Sequence, residues 1–349
     1  MRVLGIETSC DETSAAVVEG SADRAEMRSL VILSQDVHRI FGGVVPEIAS
    51  RVHLTTLVPV IRQALVDARI ELADLDAVAV THAPGLVGAL LVGVSVAKSL
   101  AFAVGKPVIG VHHMEGHLFA ASLENPAAVP PFTALLVSGG HTMIVDVPEW
   151  GRYRVLGRTR DDAAGEAFDK VGKLLGLPYP GGPHVEQIAR TASSVKTRYS
   201  PPMLRRDQRP DSSEYYDVSF SGLKTAVLNS VAERTAGGRA LTDGDRADLA
   251  SAFQTALIAT LVAKTQRAVE GFDRRRVIVG GGVAANRTLI DALRRSLGAS
   301  IDVIAPSNKL ATDNAAMIAR AGLFRLARGQ HDSMDLSAHA TLPLPGVAA

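Results

Sequence analysis

Cysteine is almost absent from this chain of 349 residues, in which Cys10 is the only one. A single cysteine excludes an internal disulfide and a cysteine-rich zinc site, so histidine and carboxylate are the available metal ligands. Membrane-spanning signals are missing as well. No apolar run reaches the roughly 20 residues that cross a bilayer, and residues 2–6 have a strand pattern rather than a charged-then-apolar leader. We therefore expect a cytoplasmic protein with no membrane contact.

An excess of one charge is also lacking, because the formal net charge is only +1. A balanced total neither favours nor excludes a nucleic-acid partner, since a basic patch can lie within it. Apolar residues are abundant, at 47% of a chain whose length suggests two domains. The composition therefore predicts a large hydrophobic core.

The predicted elements follow a similar order in the two halves of the chain, with three strands first and helices and further strands after them. The leading strands are predicted at 2–7, 14–19 and 30–34, and again at 133–137, 142–147 and 153–159. This duplication predicts an α/β protein of two related lobes, each a mixed sheet flanked by helices, with a cleft between them. One large doubly wound sheet is the alternative. We place the lobes at 1–125 and 126–327, with a tail at 328–349 and the last helix packing back on the first lobe.

Two histidines, His113 and His117, stand four residues apart after a predicted strand. On a helix this spacing brings both imidazoles to one face, where they can share a cation. A zinc protease would need a glutamate beside one of them, but Glu115 is two residues from each and is predicted to point away from any ion. A protease general base is therefore missing. For the third ligand we select Asp313, in the acid-polar run 311–315 of the second lobe.

Three glycine- or hydroxyl-rich turns follow predicted strands, at 7–14, 136–142 and 280–286. Each can present backbone N–H groups to phosphate oxygens, and the first two occupy equivalent hairpins. This plan resembles the actin, sugar-kinase and Hsp70 superfamily (ASKHA, RNase H-like) of ATPases. Ser138 stands where a kinase would need a carboxylate to activate a nucleophile, so the loops are predicted to hold a nucleotide rather than to transfer its γ-phosphate.

Seven motifs occur in order along the chain: ETSCDET from Glu7, HMEGH from His113, SGGHT from Ser138, DDAAGEAFDK from Asp161, YPGGP from Tyr179, SFSGLKT from Ser219 and GGGVAAN from Gly280. On these motifs the chain resembles the TsaD family from Arg2 to about Ala327. That family consists of tRNA N6-adenosine threonylcarbamoyltransferases, formerly described as O-sialoglycoprotein endopeptidases.

The resemblance implies an acyltransferase that modifies tRNA. It would move a threonylcarbamoyl group from threonylcarbamoyl-adenylate to the N6 amine of the adenosine 3′ of the anticodon, in tRNAs that read codons beginning with A, and release AMP. His113, His117 and Asp313 would hold one divalent metal ion, Fe²⁺ in the first place and Zn²⁺ as the alternative. The catalytic residue that removes the amine proton stays unknown.

The same resemblance implies a set of residues that bind the substrate or nucleotide. The phosphate and acyl group would lie on Leu136, Val137, Ser138, Gly139 and Gly140, and the ribose and adenine on Asp169, Gly182, Glu186 and Asn286. Asp169 has an alternative role as a helix acid paired with Lys170 and Lys173, whereas Glu166 is predicted to be a surface partner of Lys170. For His112 and His141, roles beside the site, in the core and in solvent all remain open.

The stretch from Ile188 to Val218 is polar, with basic residues and tyrosines interleaved. A solvated loop is one interpretation, and contact with tRNA phosphates and unstacked bases, through Arg205 and Arg206 among others, is the other. A further basic run at 274–276 is predicted to be exposed. The resemblance implies as partners tRNA, a shorter paralogue of the same fold (TsaB-like) and a small P-loop ATPase (TsaE-like), with the adenylate supplied by a separate synthase.

Three other functions are alternatives to the transferase. A metalloprotease is disfavoured by the position of Glu115, and a small-molecule kinase by Ser138. A scaffold without activity is disfavoured by the intact pair of His113 and His117.

Overall fold

The computed structural model describes residues 1–205, 207–212 and 214–346, which form two compact units. Unit 1 consists of Met1–Val129 and the described residues from Pro306 onward, and unit 2 consists of Pro130–Ala305. The predicted boundary near residue 125 is close to the observed one. The second lobe was predicted to extend to residue 327, but the chain returns to unit 1 at Pro306. Asp313 therefore belongs to the same unit as the two histidines.

Unit 1 contains one mixed five-stranded sheet in the order β3-β2-β1-β4-β5. The first three strands run antiparallel, and β1, β4 and β5 run parallel to one another. The strands are β1 (Arg2–Glu7), β2 (Glu12–Gly20), β3 (Ala25–Ser34), β4 (Ala77–Ala83) and β5 (Val108–His112), and the helices are α1 (Pro46–Ala68), α2 (Val87–Val104), α3 (His113–Ala120), α9 (Asn308–Ala311) and α10 (Ala315–Ala327).

Helices cover both faces of this sheet, because side chains alternate along each strand. Leu4 and Ile6 of β1 belong to a core cluster shared with α1 and α2. Gly5 points the other way, and a Cβ there would lie 2.1 Å from the Ala315 carbonyl oxygen, so α10 rests directly on the β1 backbone. This contact explains why residues from Pro306 onward belong to unit 1 rather than to the second lobe.

Unit 2 repeats the plan with a sheet in the order β10-β9-β6-β7-β8. Again three antiparallel strands adjoin a parallel pair. Its elements are β6 (Phe132–Val137), β7 (Thr142–Glu149), β8 (Arg152–Arg158), α4 (Ala164–Leu174), α5 (Gly181–Ala189), α6 (Ser221–Thr235), α7 (Asp243–Gly271), β9 (Arg276–Gly280), α8 (Arg287–Leu297) and β10 (Asp302–Ile304). The predicted fold of two similar mixed sheets is confirmed, and the single doubly wound sheet is wrong.

Helix α2 is 18 residues long and apolar enough to cross a membrane by length and composition alone. One face of it packs against β4 and α1. A single helix of this kind is weak evidence for a membrane segment.

Candidate metal centre and nucleotide-binding loops

The side chains of His113, His117 and Asp313 meet in unit 1. The Nε2 atoms of the two histidines lie 3.3 and 3.2 Å from the same oxygen, Oδ1 of Asp313. The two rings are nearly perpendicular, with centroids 4.8 Å apart. One ligand atom from each residue lies within 4.8 Å of the others, so a single cation could be bound by all three.

Local structure places these side chains at one end of the sheet. Strand β5 ends at His112, and α3 begins at His113, so both imidazoles leave the first turns of a helix at the carboxyl end of a parallel strand. Asn314 caps α10, because its Oδ1 accepts the Met317 amide at 3.1 Å. Asp313 directly precedes this cap and is held at the same end of the sheet.

Glu7, the last residue of β1, contacts the His113 ring at Nδ1, the nitrogen that does not face Asp313. Its Oε2 lies 3.0 Å from His113 Nδ1, and it also accepts the Thr81 hydroxyl at 2.6 Å. A carboxylate bonded to Nδ1–H leaves the lone pair of Nε2 free to bind a metal. The sequence interpretation gave Glu7 no such role, although a glutamate that ends a buried strand is a signal that could have revealed it.

His117 supplies a direct test of whether a cation fits. The residue is fully buried, and neither of its ring nitrogens has a hydrogen-bond partner among the described residues, despite the closeness of Asp313. A buried polar atom without a partner is costly and calls for an explanation. A cation held between Nε2 and the carboxylate would give Nε2 a partner.

The charges of the cluster also admit a simpler role as a buried ion pair. Burial lowers the pKa of His113, but the carboxylates of Asp313 and Glu7 outweigh burial and raise it well above its usual value. Burial raises the pKa of Asp313, but His113 outweighs burial and lowers it well below its ordinary range. A proton on Nε2 of His113 would occupy the position that a metal ion needs. The cluster can therefore be a buried ion pair or a metal site, but not both at once.

Glu115 lies away from the centre, as the helical spacing predicted. Its carboxylate accepts the Arg325 guanidinium at 2.6 Å, and the same arginine donates to the Gly110 carbonyl. Glu115 is therefore a structural partner of α10 and not a general base. His112 is also engaged elsewhere, because its Nδ1 caps α3 and its Nε2 lies 3.1 Å from the Leu342 carbonyl oxygen.

Burial raises the pKa of Glu12, in the first hairpin, to about 9, and the nearby carboxylates of Asp313 and Asp11 act in the same direction. Glu12 and Cys10 have no assigned role in the centre.

In unit 2 three loops meet at the end of β6. Leu136 and Val137 end that strand, and Ser138, Gly139 and Gly140 form the turn to β7. Gly281, at φ +88°, lies so close that a Cβ there would be 2.4 Å from the Val137 carbonyl oxygen. Gly165 of α4 approaches Ser138 in the same way and donates its amide to the Ser138 carbonyl at 3.1 Å. Two of the predicted glycine-rich turns are thus neighbours, and Gly139 and Gly140 face open space.

The other predicted nucleotide ligands also lie in unit 2. Asp169 accepts the Gly181 amide at 2.7 Å, next to Gly182. Glu186 pairs with Arg190 at 2.6 Å and lies 3.3 Å from the Thr288 amide. The surface pair of Glu166 and Lys170 is confirmed, with its atoms 2.9 Å apart.

Asn286 caps α8 through the Leu289 amide and donates to Gln254 of α7 at 3.1 Å. The sequence interpretation missed Gln254. His141 lies in the β6–β7 turn, where its amide donates to the Ser138 hydroxyl at 3.1 Å.

The basic and aromatic stretch after Ile188 is anchored to α7. Lys264 is fully buried, and its ammonium donates to the carbonyls of Glu214 and Tyr215 at 2.5 and 2.8 Å. Arg267 stacks 4.4 Å above the Tyr215 ring, so this tyrosine is engaged in packing. Arg205 is exposed, and Arg206 lies outside the described residues.

The predicted exposure of the 274–276 run is wrong for Arg274. Its guanidinium binds the buried carboxylate of Asp146 at 2.6 and 3.1 Å, whereas Arg275 is exposed.

Lys264 should make stability depend on pH in a defined window. Burial lowers its pKa from 10.5 to about 8, so between these values the unfolded chain binds more protons and the free energy of unfolding rises with pH. Lys264→Met removes this contribution and also leaves the two carbonyls without their donor. We expect the stability gap between wild type and variant, measured by urea unfolding, to be wider at about pH 9.5 than at about pH 7.5. Lys196→Met, at an exposed side chain, is the control, and an equal gap at both pH values would contradict the expectation.

The two sheets, with their matching strand orders, define an actin-like α/β protein. Solved structures agree on the fold alone. HypF from T. kodakarensis matches with a TM-score of 0.61 at 13% identity, over 96% of this chain and 49% of that one. Component A of (R)-2-hydroxyglutaryl-CoA dehydratase from Acidaminococcus fermentans matches with a TM-score of 0.54 at 13% identity, over 94% of this chain and 99% of that one.

Sequence comparisons identify the family. The family model for TsaD, tRNA N6-adenosine threonylcarbamoyltransferase, matches residues 26–320. A relative of that name from Gemmatimonas aurantiaca is 61% identical over 99% of this chain and 98% of its own length, and another from Moorella thermoacetica is 48% identical over 98% and 97%. The chain belongs to the TsaD family of tRNA N6-adenosine threonylcarbamoyltransferases. It is therefore a transferase, and the predicted family and enzyme class are confirmed.

Proposed function

We propose that the chain transfers the threonylcarbamoyl group of threonylcarbamoyl-adenylate to the N6 amine of the adenosine 3′ of the anticodon, in tRNAs that read codons beginning with A. The new bond joins N6 to the carbamoyl carbon, the bond from that carbon to the phosphate oxygen breaks, and AMP leaves with the electron pair. The amine gives up one proton, which passes to solvent water. The cluster of His113, His117 and Asp313, in a chain of this family, is the observation that carries the proposal.

His113, His117 and Asp313 would hold one divalent cation, Fe²⁺ in the first place and Zn²⁺ as the alternative. Two imidazoles and one carboxylate suit either metal and leave coordination positions for a substrate. When bound, the cation supplies a Lewis acid for the negative charge that develops on the carbamoyl oxygen. Glu7 keeps the His113 ring in the orientation that binding requires.

The unit 2 loops are suited to the adenylate. Gly139 and Gly140 carry no side chains and face open space, so their amides can approach phosphate oxygens closely. Asp169 and Glu186 offer carboxylate oxygens to ribose hydroxyls, and Asn286 offers an amide to the adenine. Leu136 and Val137 border the same turn.

Incubation with tRNA, ATP, threonine, bicarbonate and a threonylcarbamoyl-adenylate synthase tests the proposal. We expect mass spectrometry of the digested tRNA to show threonylcarbamoyladenosine only when the chain and its partner proteins are present. A tRNA with guanosine in place of the adenosine 3′ of the anticodon is the matched control and should stay unmodified. Absence of the modified nucleoside from the full mixture, together with steady hydrolysis of ATP by the chain alone, would contradict the proposal and favour a kinase-like ATPase.

The proposed partners are tRNA, a shorter paralogue of the same fold and a small P-loop ATPase, and the proposed place of action is the cytoplasm. Several large apolar side chains on α1 and α2 are uncovered in unit 1, and such a surface is typical of a protein interface. They are Leu54, Val58, Val66, Val87, Leu91 and Phe102. We assign this α1/α2 surface to the paralogue.

Placing charges on the α1/α2 surface should prevent that association. Leu54 is 67% and Leu91 47% exposed, so Leu54→Asp with Leu91→Asp should leave unit 1 folded while introducing two desolvated charges at the interface. We expect light scattering to show the complex in wild type and separate chains in the double variant. Val195→Asp, at an exposed residue of unit 2, should assemble normally. A complex that persists in the double variant would move the interface elsewhere.

A further inference from the structure

The segment after α10 lies along the free edge of the unit 1 sheet. Strand β5 is the last strand in the order, and Asp332 pairs with it as a further strand residue would. The Asp332 amide donates to the Val108 carbonyl at 2.9 Å, and its carboxylate accepts the Gly110 amide at 2.7 Å. The segment thus satisfies polar groups that an edge strand otherwise leaves open.

The same segment then crosses the carboxyl ends of β4 and β5. The His339 amide donates to the His82 carbonyl at 2.9 Å, and the Ala340 carbonyl accepts the Gly85 amide at 3.2 Å. The Leu342 carbonyl oxygen lies 3.1 Å from His112 Nε2, and Leu344 is buried. We name residues 331–344 the C-terminal strap.

The strap contacts two segments that adjoin the candidate metal centre. His112 is the cap of α3 and the neighbour of His113, and its ring lies between the strap and the first turn of the helix. Gly85 packs against Ser9, whose hydroxyl lies 3.3 Å from His113 Nδ1. A strap that only covered the sheet edge would need neither contact.

We propose that the C-terminal strap positions the metal centre, by fixing the His112 ring and through it the first turn of α3. The inference rests on the proposed function, because it requires that His113, His117 and Asp313 bind a cation. With the strap in place, the Nδ1 of His112 stays directed at the Met114 amide, and the two ligand rings keep one orientation. Without it, the first turn of α3 loses a cap and samples other orientations.

Removal of residues 331–349 from the full chain tests the proposal. We expect the dissociation constant for Co²⁺, used as a spectroscopic probe, to rise by about tenfold or more, as loss of outer-shell contacts does, and its visible absorption bands to change. Removal of residues 345–349 alone is the matched control and should leave both unchanged. A shortened chain that folds and binds Co²⁺ with wild-type affinity and spectrum would overturn the proposal.

Point variants keep the test decisive if the shortened chain does not fold. Asp332→Ala removes the acceptor for the Gly110 amide and should weaken Co²⁺ binding, whereas Asp332→Asn keeps an acceptor oxygen and should restore it. His112→Phe keeps a planar ring and removes the hydrogen bonds to the Leu342 carbonyl and the Met114 amide. If the strap acts through His112, combining His112→Phe with Asp332→Ala should cost no more affinity than His112→Phe alone, and additive losses would contradict this route.

A wild-type chain that binds no divalent metal would overturn the proposed metal centre itself. Equal binding by wild type and all strap variants would overturn only the proposed role of the strap.

Discussion

His117→Ala should abolish metal binding at the candidate centre. The variant removes one of two imidazoles that lie about equally far from Asp313, at 3.3 and 3.2 Å, and leaves the others with an incomplete ligand set. Loss of an outer-shell partner costs about 10- to 100-fold in metal affinity, so loss of a ligand should exceed about 100-fold. Isothermal titration with Zn²⁺ and metal analysis of anaerobically purified protein measure the effect. tRNA modification should fall to background.

The control for this variant is Arg24→Ala, at an exposed side chain of the same unit. It should retain wild-type metal content and activity. Asp313 keeps His113 as a partner at 3.3 Å in this variant, so unit 1 should stay folded. Retention of stoichiometric metal in His117→Ala would show that His117 is not a ligand and that the metal is bound elsewhere.

Gly281→Ala should disrupt the nucleotide-binding loops of unit 2. The residue has φ +88°, and the new Cβ would lie 2.4 Å from the Val137 carbonyl oxygen, which is backbone and cannot move aside freely. The backbone strain and the clash together should destabilise the folded unit by about 2–4 kcal/mol. The turn at Ser138 should also shift, so binding of AMP, measured by calorimetry, should become undetectable.

Gly282→Ala is the matched control, since a Cβ at the next residue meets nothing within 4 Å. We expect it to unfold at the wild-type urea concentration, which separates the effect of the clash from that of a methyl group in the loop. Wild-type stability and AMP binding in Gly281→Ala would contradict this prediction. They would show that the loop accommodates the new Cβ without displacing Val137 or Ser138.

The two sheets could be predicted from the sequence because hydrophobic alternation and turn residues are local signals. The strands predicted at 2–7 and 142–147 agree with β1 and β7 within a few residues. Helix α5 was missed, because its first residues, Gly181-Gly182-Pro183, are typical of a turn. Its helical state depends on packing against α4 and α7, which no local pattern contains.

The candidate centre could be predicted in part. On a helix, the four-residue spacing of His113 and His117 predicts that both imidazoles share one face. It also correctly predicted that Glu115 points away from them. The membership of Asp313 in unit 1 could not be read from the sequence, because it depends on the close approach of α10 to Gly5. The bond between Glu7 and His113 joins residues 106 positions apart, and only the folded sheet brings them together.

The interrupted course of unit 1 has a consequence for biosynthesis. The ribosome releases all five strands of its sheet and both histidines before any of unit 2, but Asp313 and α10 emerge only after unit 2 is complete. Until then the sheet face at Gly5 has no cover, so the first unit cannot finish folding in the order of synthesis, as an uninterrupted domain does. Cation loading would therefore be a late event, open to nearly full-length chains and closed to truncated products that stop before Pro306.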